Sequence, residues 1–441
     1  NLGGGGVFLP GGLVVDGGND ANSGGAGTGG FDRVNFLRGS DTTLADNDGT
    51  VNTDSVNISA ERVYFDLGSK LTVGTDGGGN EGSVTITASD PDGDGTGMGY
   101  SGIDLFAASI DVKGDGDANL SGTGGDTGNF NHGVVLRSGA SVTTEDGGIR
   151  LQGTVRGGAS YSAGVVLTGS TVGQTGTSAS GVIDIDGTGG GTGVINSGAS
   201  FDYASAVTAT GDTEVTIDGT GTTSTTGGGF GVHIDRGTAI GAETGDVTVT
   251  GAGGATGGGN MGITLEVGSS VTSDSGDVSL EGTGGGTTTG RFNHGIALHN
   301  GGGTVTSGTG AVTLTGNAGP GSGYSSGVVL IGSTVGQTAD AAVGAGVTIT
   351  GSADASSTGV GNSGVSIDYG TTVTAMGGGD LTIDGTGSAD GNGFGVHLDR
   401  ETAVSAEAGD VEITGVAGGA GGGNIGITVE VGSSVTTEGG D

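Results

Sequence analysis

The stretch from Gly133 to Asn293 returns, landmark by landmark, from Gly295 onward. Phe130-Asn131-His132-Gly133 comes back as Phe292-Asn293-His294-Gly295, and Gly231-Val232-His233-Ile234-Asp235-Arg236 as Gly395-Val396-His397-Leu398-Asp399-Arg400. The segment Gly262–Ser270 recurs as Gly426–Ser434, so the offset is 162 to 164 residues throughout. Self-similarity at a fixed period is the signature of a stacked repeat architecture and outranks any local motif.

Each copy divides again. Unit-opening glycines stand at Gly133, Gly164, Gly198, Gly231 and Gly262, then at Gly295, Gly327, Gly364, Gly395 and Gly426, mostly 31–33 residues apart. Within a unit, an alternating apolar run (Ile263, Leu265, Val267) is followed by a Ser/Thr run around one Val (Val271), a second alternation (Val278, Leu280) and a Gly/Thr tract. Period-2 alternation of Val, Ile, Leu and Thr between Gly/Asp/Ser/Asn clusters predicts strands and turns, and no segment has helical periodicity. About three short strands cannot bury their own apolar face, so each unit must stack on its neighbours.

The expected fold is therefore all-β: a parallel β-solenoid (β-helix) of about 13 coils, with like residues stacked about 4.8 Å apart in a rod roughly 60 Å long. The usual crossover sense makes it right-handed. Residues 1–101 read as irregular N-terminal coils with an inserted acidic loop, 102–294 as the first five-coil super-repeat, and 295–441 as a truncated second one. The chain opens on Asn1 and stops in mid-unit at Asp441, which predicts a segment of a larger or processed protein.

Gly supplies 113 of 441 residues, a share that can signal disorder, but the regular aliphatic alternation gives every coil a core to bury. There is no Cys, so disulfide and thiol chemistry are excluded. The net charge of −37, with Lys70 and Lys113 as the only lysines, argues against nucleic acid and against anionic membranes as partners. No apolar run is long enough for a membrane-spanning helix.

The pattern Gly-(Val/Ile)-x-(Leu/Ile)…Val-Thr…Gly-Asp-(Val/Ile)-x-(Ile/Leu)-x-Gly-Thr-Gly-Gly, running nearly throughout from Gly102, resembles filamentous-haemagglutinin-like adhesins and related β-strand-repeat giant secreted proteins of bacteria. That resemblance implies a right-handed parallel β-helix, secretion to the cell surface and work as a fibre, adhesin or coat. The units here are longer than those of typical haemagglutinin repeats, the Gly/Thr tract supplying the excess.

Side chains alternate in and out along a strand, so Val232, Ile234, Ile263 and Leu265 should point inward, and His233, Asp235, Thr264 and Glu266 outward. Stacking then aligns Asp202, Asp235 and Glu266, each four residues after a unit glycine, and Asp368, Asp399 and Glu430 in the second copy. A further acidic row, Glu214, Asp246 and Asp277, then Asp380 and Asp410, precedes the last strand of each coil, and Asp186, Asp218 and Asp384 follow it. Carboxylates stacked this closely repel unless screened, and hard oxygen ligands suit Ca²⁺, although a plain solvated acidic face satisfies the same pattern. Arg236 and Arg400 follow Asp235 and Asp399 and should point the opposite way on an ideal strand. Asp90, Asp92 and Asp94 in Asp-Pro-Asp-Gly-Asp-Gly look like the start of a calcium loop, but Ser101 stands where the closing Glu belongs.

Histidines 132, 233, 294 and 397 read as surface or turn residues, and Phe130/Tyr161 and Phe292/Tyr324 as an aromatic ladder closing the core. Gly323-Tyr324-Ser325-Ser326-Gly327 matches a nucleophile elbow, which needs a strand-to-helix turn that this chain does not offer. The sequence is thus expected to be a non-catalytic extracellular rod: part of a filament, sheath or adhesin stalk, its partners further copies of itself or the rest of a longer chain. A glycan- or cell-surface-binding module is the alternative. A β-helix polysaccharide lyase or hydrolase fits less well, because the charged residues of interest recur in both copies instead of forming one unique cluster.

Overall fold

The computed structural model describes residues 33–44, 55–74, 82–90 and 98–440, apart from 159, 178, 180, 223–227, 300, 342–343, 390–392 and 420–422, together with the backbone of 13–16. Every element among them is a strand. Three parallel sheets of 13 strands each run side by side, and every strand pairs with its counterpart one coil on. One coil contributes Ile263–Glu266 to sheet II, Ser270–Ser273 to sheet III and Val278–Thr283 to sheet I. The parallel β-solenoid expected from the sequence is thus what the chain forms. The regular stack from Ile103 onward makes about 11 turns, slightly fewer than the 13 coils expected, and the less regular strands before it complete the 13 of each sheet. The regular part begins with the strand Ile103–Phe106; before it, the connecting segments 17–32, 45–54, 75–81 and 91–97 lie outside the described residues.

The register explains the stack. In sheet II, Leu136, Leu167, Phe201, Ile234, Leu265, Leu298, Leu330, Ile367 and Leu398 pair in succession, and all are fully buried. Val271 and Val305 continue the core in sheet III, as do Val278, Leu280, Val312 and Leu314 in sheet I. Each such side chain contributes roughly 1.5–3 kcal/mol by leaving water, but only once the neighbouring coil covers it.

The unit-opening glycines have a steric cause. Sheet I of each coil ends against the start of sheet II in the next, and Gly282 there meets Gly295 face to face. A Cβ on Gly282 would fall on the Gly295 carbonyl oxygen, and one on Gly295 on the Asn317 amide, far inside van der Waals contact. The same pairing joins Gly316 to Gly327 and Gly351 to Gly364.

A polar ladder threads the loop beside these glycines. Asn131, Asn260, Asn293 and Asn362, each two residues before a unit glycine, are fully buried. The Asn293 side-chain oxygen accepts the backbone N–H of Asn260 (3.2 Å), while its amide donates to the Pro320 carbonyl (2.6 Å). Where Ser replaces Asn, the hydroxyl continues the chain: Asn293 N–H donates to Ser325 Oγ (3.1 Å), and Ser325 N–H to Asn362 Oδ1 (3.0 Å). Ser325 of the elbow-like motif is therefore a buried link in this ladder, with no access to substrate.

Candidate functional site: the outer groove of sheet II

The outer face of sheet II is a groove instead of an open surface. Outward residues such as Thr264 and Ala297 are fully buried, because the loop entering each coil overhangs them. Thr264 Oγ1 lies 3.3 Å from Met261 Sδ in that loop. Along the second copy the groove encloses 640 Å³, with Ala297 and Val329 on its floor, Phe292, Tyr324 and Phe394 on the loop side, and His299, Asp368, Asp399 and Arg400 on the other.

The aromatic ladder exists but does not close the core. Phe130, Tyr161, Phe292 and Tyr324 are 43–47 % exposed, and they stack in pairs with ring centroids 5.3 Å (Phe130–Tyr161) and 5.7 Å (Phe292–Tyr324) apart. Their left-handed backbone, φ between 54° and 60°, turns the rings away from the core and over the rim. Arg291 lies over the Tyr324 ring at 4.9 Å.

The expected acidic row on the opposite rim is present, and it is differentiated along its length. Asp202 and Asp368 pair with Arg236 and Arg400 of the following coil, at 2.5 and 2.6 Å. The sequence placed these arginines on the wrong side. Each occupies a left-handed turn position, φ 50° and 51°, which swings the guanidinium back across the coil and over Tyr203 or Tyr369. Asp235 and Asp399 are buried and accept the backbone N–H of their own Arg (2.7 and 2.8 Å), capping the turn. Glu266 and Glu430 face imidazoles. His233 Nε2 lies 4.0 Å and His299 Nε2 3.3 Å from Glu266 Oε1, and His397 Nε2 lies 3.9 Å from Glu430 Oε1. His233 and His397, read from sequence as plain surface residues, therefore stand inside a His–Asp–Glu cluster that occurs twice. Their place on the same strand face as Asp235 and Asp399 was the signal.

The corner row before sheet I is held differently. Asp277 N–H donates to Asp246 Oδ1 (2.8 Å), Ala311 N–H to Asp277 Oδ1 (2.7 Å) and Asp410 N–H to Asp380 Oδ1 (3.0 Å). Each carboxylate here supplies an acceptor to the next coil, a structural duty that accounts for its spacing. Asp90 is buried beside the end of a strand; Asp92 and Asp94 lie outside the described residues.

Burial lowers the pKa of three imidazoles, His132, His233 and His294. It depresses His132 and His294 to a pKa of about 4, and each Nδ1 accepts a backbone N–H from the next coil, Ala163 at 3.2 Å and Ser326 at 3.1 Å. Burial likewise lowers His233, against the opposing pull of Glu266 and Asp235. Nearer the N-terminus, Arg137 grips the buried Asp104 with two hydrogen bonds of 2.9 and 3.1 Å, and these raise its pKa.

No known protein family, curated protein or solved structure matches this chain.

Proposed function

We propose that the chain is a non-catalytic rod segment of a bacterial surface filament, sheath or adhesin stalk, extracellular and joined end to end to further coils. The observation that carries this reading is the continuity of three parallel sheets in one register over an aliphatic core, with acidic rows outside. Such an object gains length by adding coils, and its terminal strands are templates for further pairing, from a second copy or from more of the same chain. The resemblance to filamentous-haemagglutinin-like and β-strand-repeat secreted proteins supports the same placement. Divalent cations, Ca²⁺ first, would screen the solvent-facing carboxylates of the Asp246–Asp277 and Asp380–Asp410 corners. The duplicated arrangement of charged groups favours architecture over catalysis. Negative-stain electron microscopy of the purified chain with Ca²⁺ and with chelator tests the reading. Uniform rods that join lengthwise, and shorten on chelation, are expected; compact particles with no lengthwise association in either condition would overturn it.

The groove favours a second role on the same rod, glycan binding. Half-exposed stacked aromatics beside Asp, His and Arg offer faces for sugar rings and partners for hydroxyls. Glycan-array binding that disappears in Tyr324→Ala is expected. Equal binding by the variant would remove the groove from that role.

A further inference from the structure

From the paired His–Asp–Glu clusters we infer that the rod carries two binding sites for a divalent first-row transition metal ion, Zn²⁺ above all: one at His233, Asp235 and Glu266, the other at His397, Asp399 and Glu430. The inference stands apart from the rod reading and does not depend on assembly.

In each cluster the three ligand atoms lie within 4.8 Å of one another. Zinc–ligand bonds of about 2.0–2.2 Å require donor atoms roughly 3.3 Å apart, so side-chain rotations on the order of 1 Å close the site. The groups that hold these ligands in place are already present. Phe230 stacks on His233 with centroids 5.0 Å apart, and Phe394 on His397 at 4.6 Å, fixing each ring plane with Nε2 toward the glutamate. The turn N–H of Arg236 or Arg400 holds one oxygen of the aspartate and so orients the other.

Charge points to the same class of ligand. Arg236 pairs with both Asp202 (2.5 Å) and Asp235 (3.7 Å), one cation against two carboxylates at the edge of the first cluster. Arg400 stands in the same way between Asp368 (2.6 Å) and Asp399 (3.7 Å) in the second copy. An imidazole in the donor set favours zinc, copper or nickel over Ca²⁺, which takes six to eight oxygens. Beside the first cluster, the buried His299 Nε2 makes no hydrogen bond although it lies 3.3 Å from Glu266 Oε1. It is a fourth donor within reach, and a metal on Glu266 would give that nitrogen a role.

Equilibrium dialysis of the intact chain against micromolar ZnCl₂ in excess Ca²⁺ should retain two ions per chain. His233→Ala and His397→Ala should each retain one, and the double variant none. Co²⁺ in place of Zn²⁺ should give the visible absorption of a low-coordinate site, lost in the same variants. If a histidine variant fails to fold, Glu266→Gln, which keeps the side-chain shape, should also lose one ion. Retention of no zinc by the wild-type chain, retention unchanged in the double variant, or displacement by Ca²⁺ would overturn the assignment.

Discussion

Asp368 Oδ2 and Arg400 Nη1 meet at 2.6 Å across adjacent coils, as Asp202 and Arg236 do in the first copy, and in both the arginine reaches back only because its own backbone is left-handed. The Arg400 side chain is half exposed and also rests on the Tyr369 ring. The coupling energy of the pair should therefore be small. A double-mutant cycle with Asp368→Asn and Arg400→Gln, read by urea unfolding, is expected to give less than about 1 kcal/mol, shrinking further in 1 M salt. A salt-independent coupling of several kcal/mol would contradict this account.

Acid should weaken the rod through His294. Its folded pKa of about 4 lies below the ordinary value of 6.5, so the unfolded chain binds the proton more readily. The contribution is full above about pH 6.5, declines as pH falls, and is gone below about pH 4; its size is roughly 3 kcal/mol. Comparison of wild type with His294→Gln at pH 7.5, 5.5 and 4 isolates this contribution from that of the carboxylates. The stability gap should narrow steadily toward low pH, and a constant gap would refute the mechanism.

Asn293→Ala removes the acceptor for a buried N–H and the donor for the Pro320 carbonyl. The expected loss is about 1–3 kcal/mol per orphaned group, measured as a lower urea midpoint. Asn293→Ser, which keeps a hydroxyl as Ser162 and Ser325 do in their coils, should recover part of it.

Gly282→Ala places a methyl group against the Gly295 carbonyl and should cost about 1–3 kcal/mol, the range for overpacked sites. Amide hydrogen exchange should show the damage centred on the coils that contain Gly282 and Gly295 and fading with distance, because each coil touches only its neighbours.

The alternation of Val232, Ile234, Ile263 and Leu265 was enough to read the strands and their inward faces, since period 2 survives any detail of the turns. The groove was not legible. Thr264 has the outward position expected of it, yet it is buried, because a loop that alternation does not describe folds over it. The outward rings of Phe130 and Tyr161 likewise follow from left-handed turn angles, which large apolar residues rarely adopt and sequence does not advertise. The meeting of His233 with Glu266 depends on coil-to-coil register, and unit lengths vary enough that only the pairing of Val232 with Ile263 fixes it. An Asn stands two residues before several unit glycines, but its hydrogen bonds depend on the loop's path, which alternation does not describe.

The hydrogen bonds that join one coil to the next run along the rod, between strands lying across it. A pull on the two ends of the chain would thus open these ladders in sequence, as a zipper opens, instead of shearing whole sheets at once. Each coil that lets go would release about 32 residues, or on the order of 100 Å of slack, while the coils behind it stay folded. A tether built this way yields in even increments and absorbs work at each one, a mechanical property that follows from the stacking of like on like.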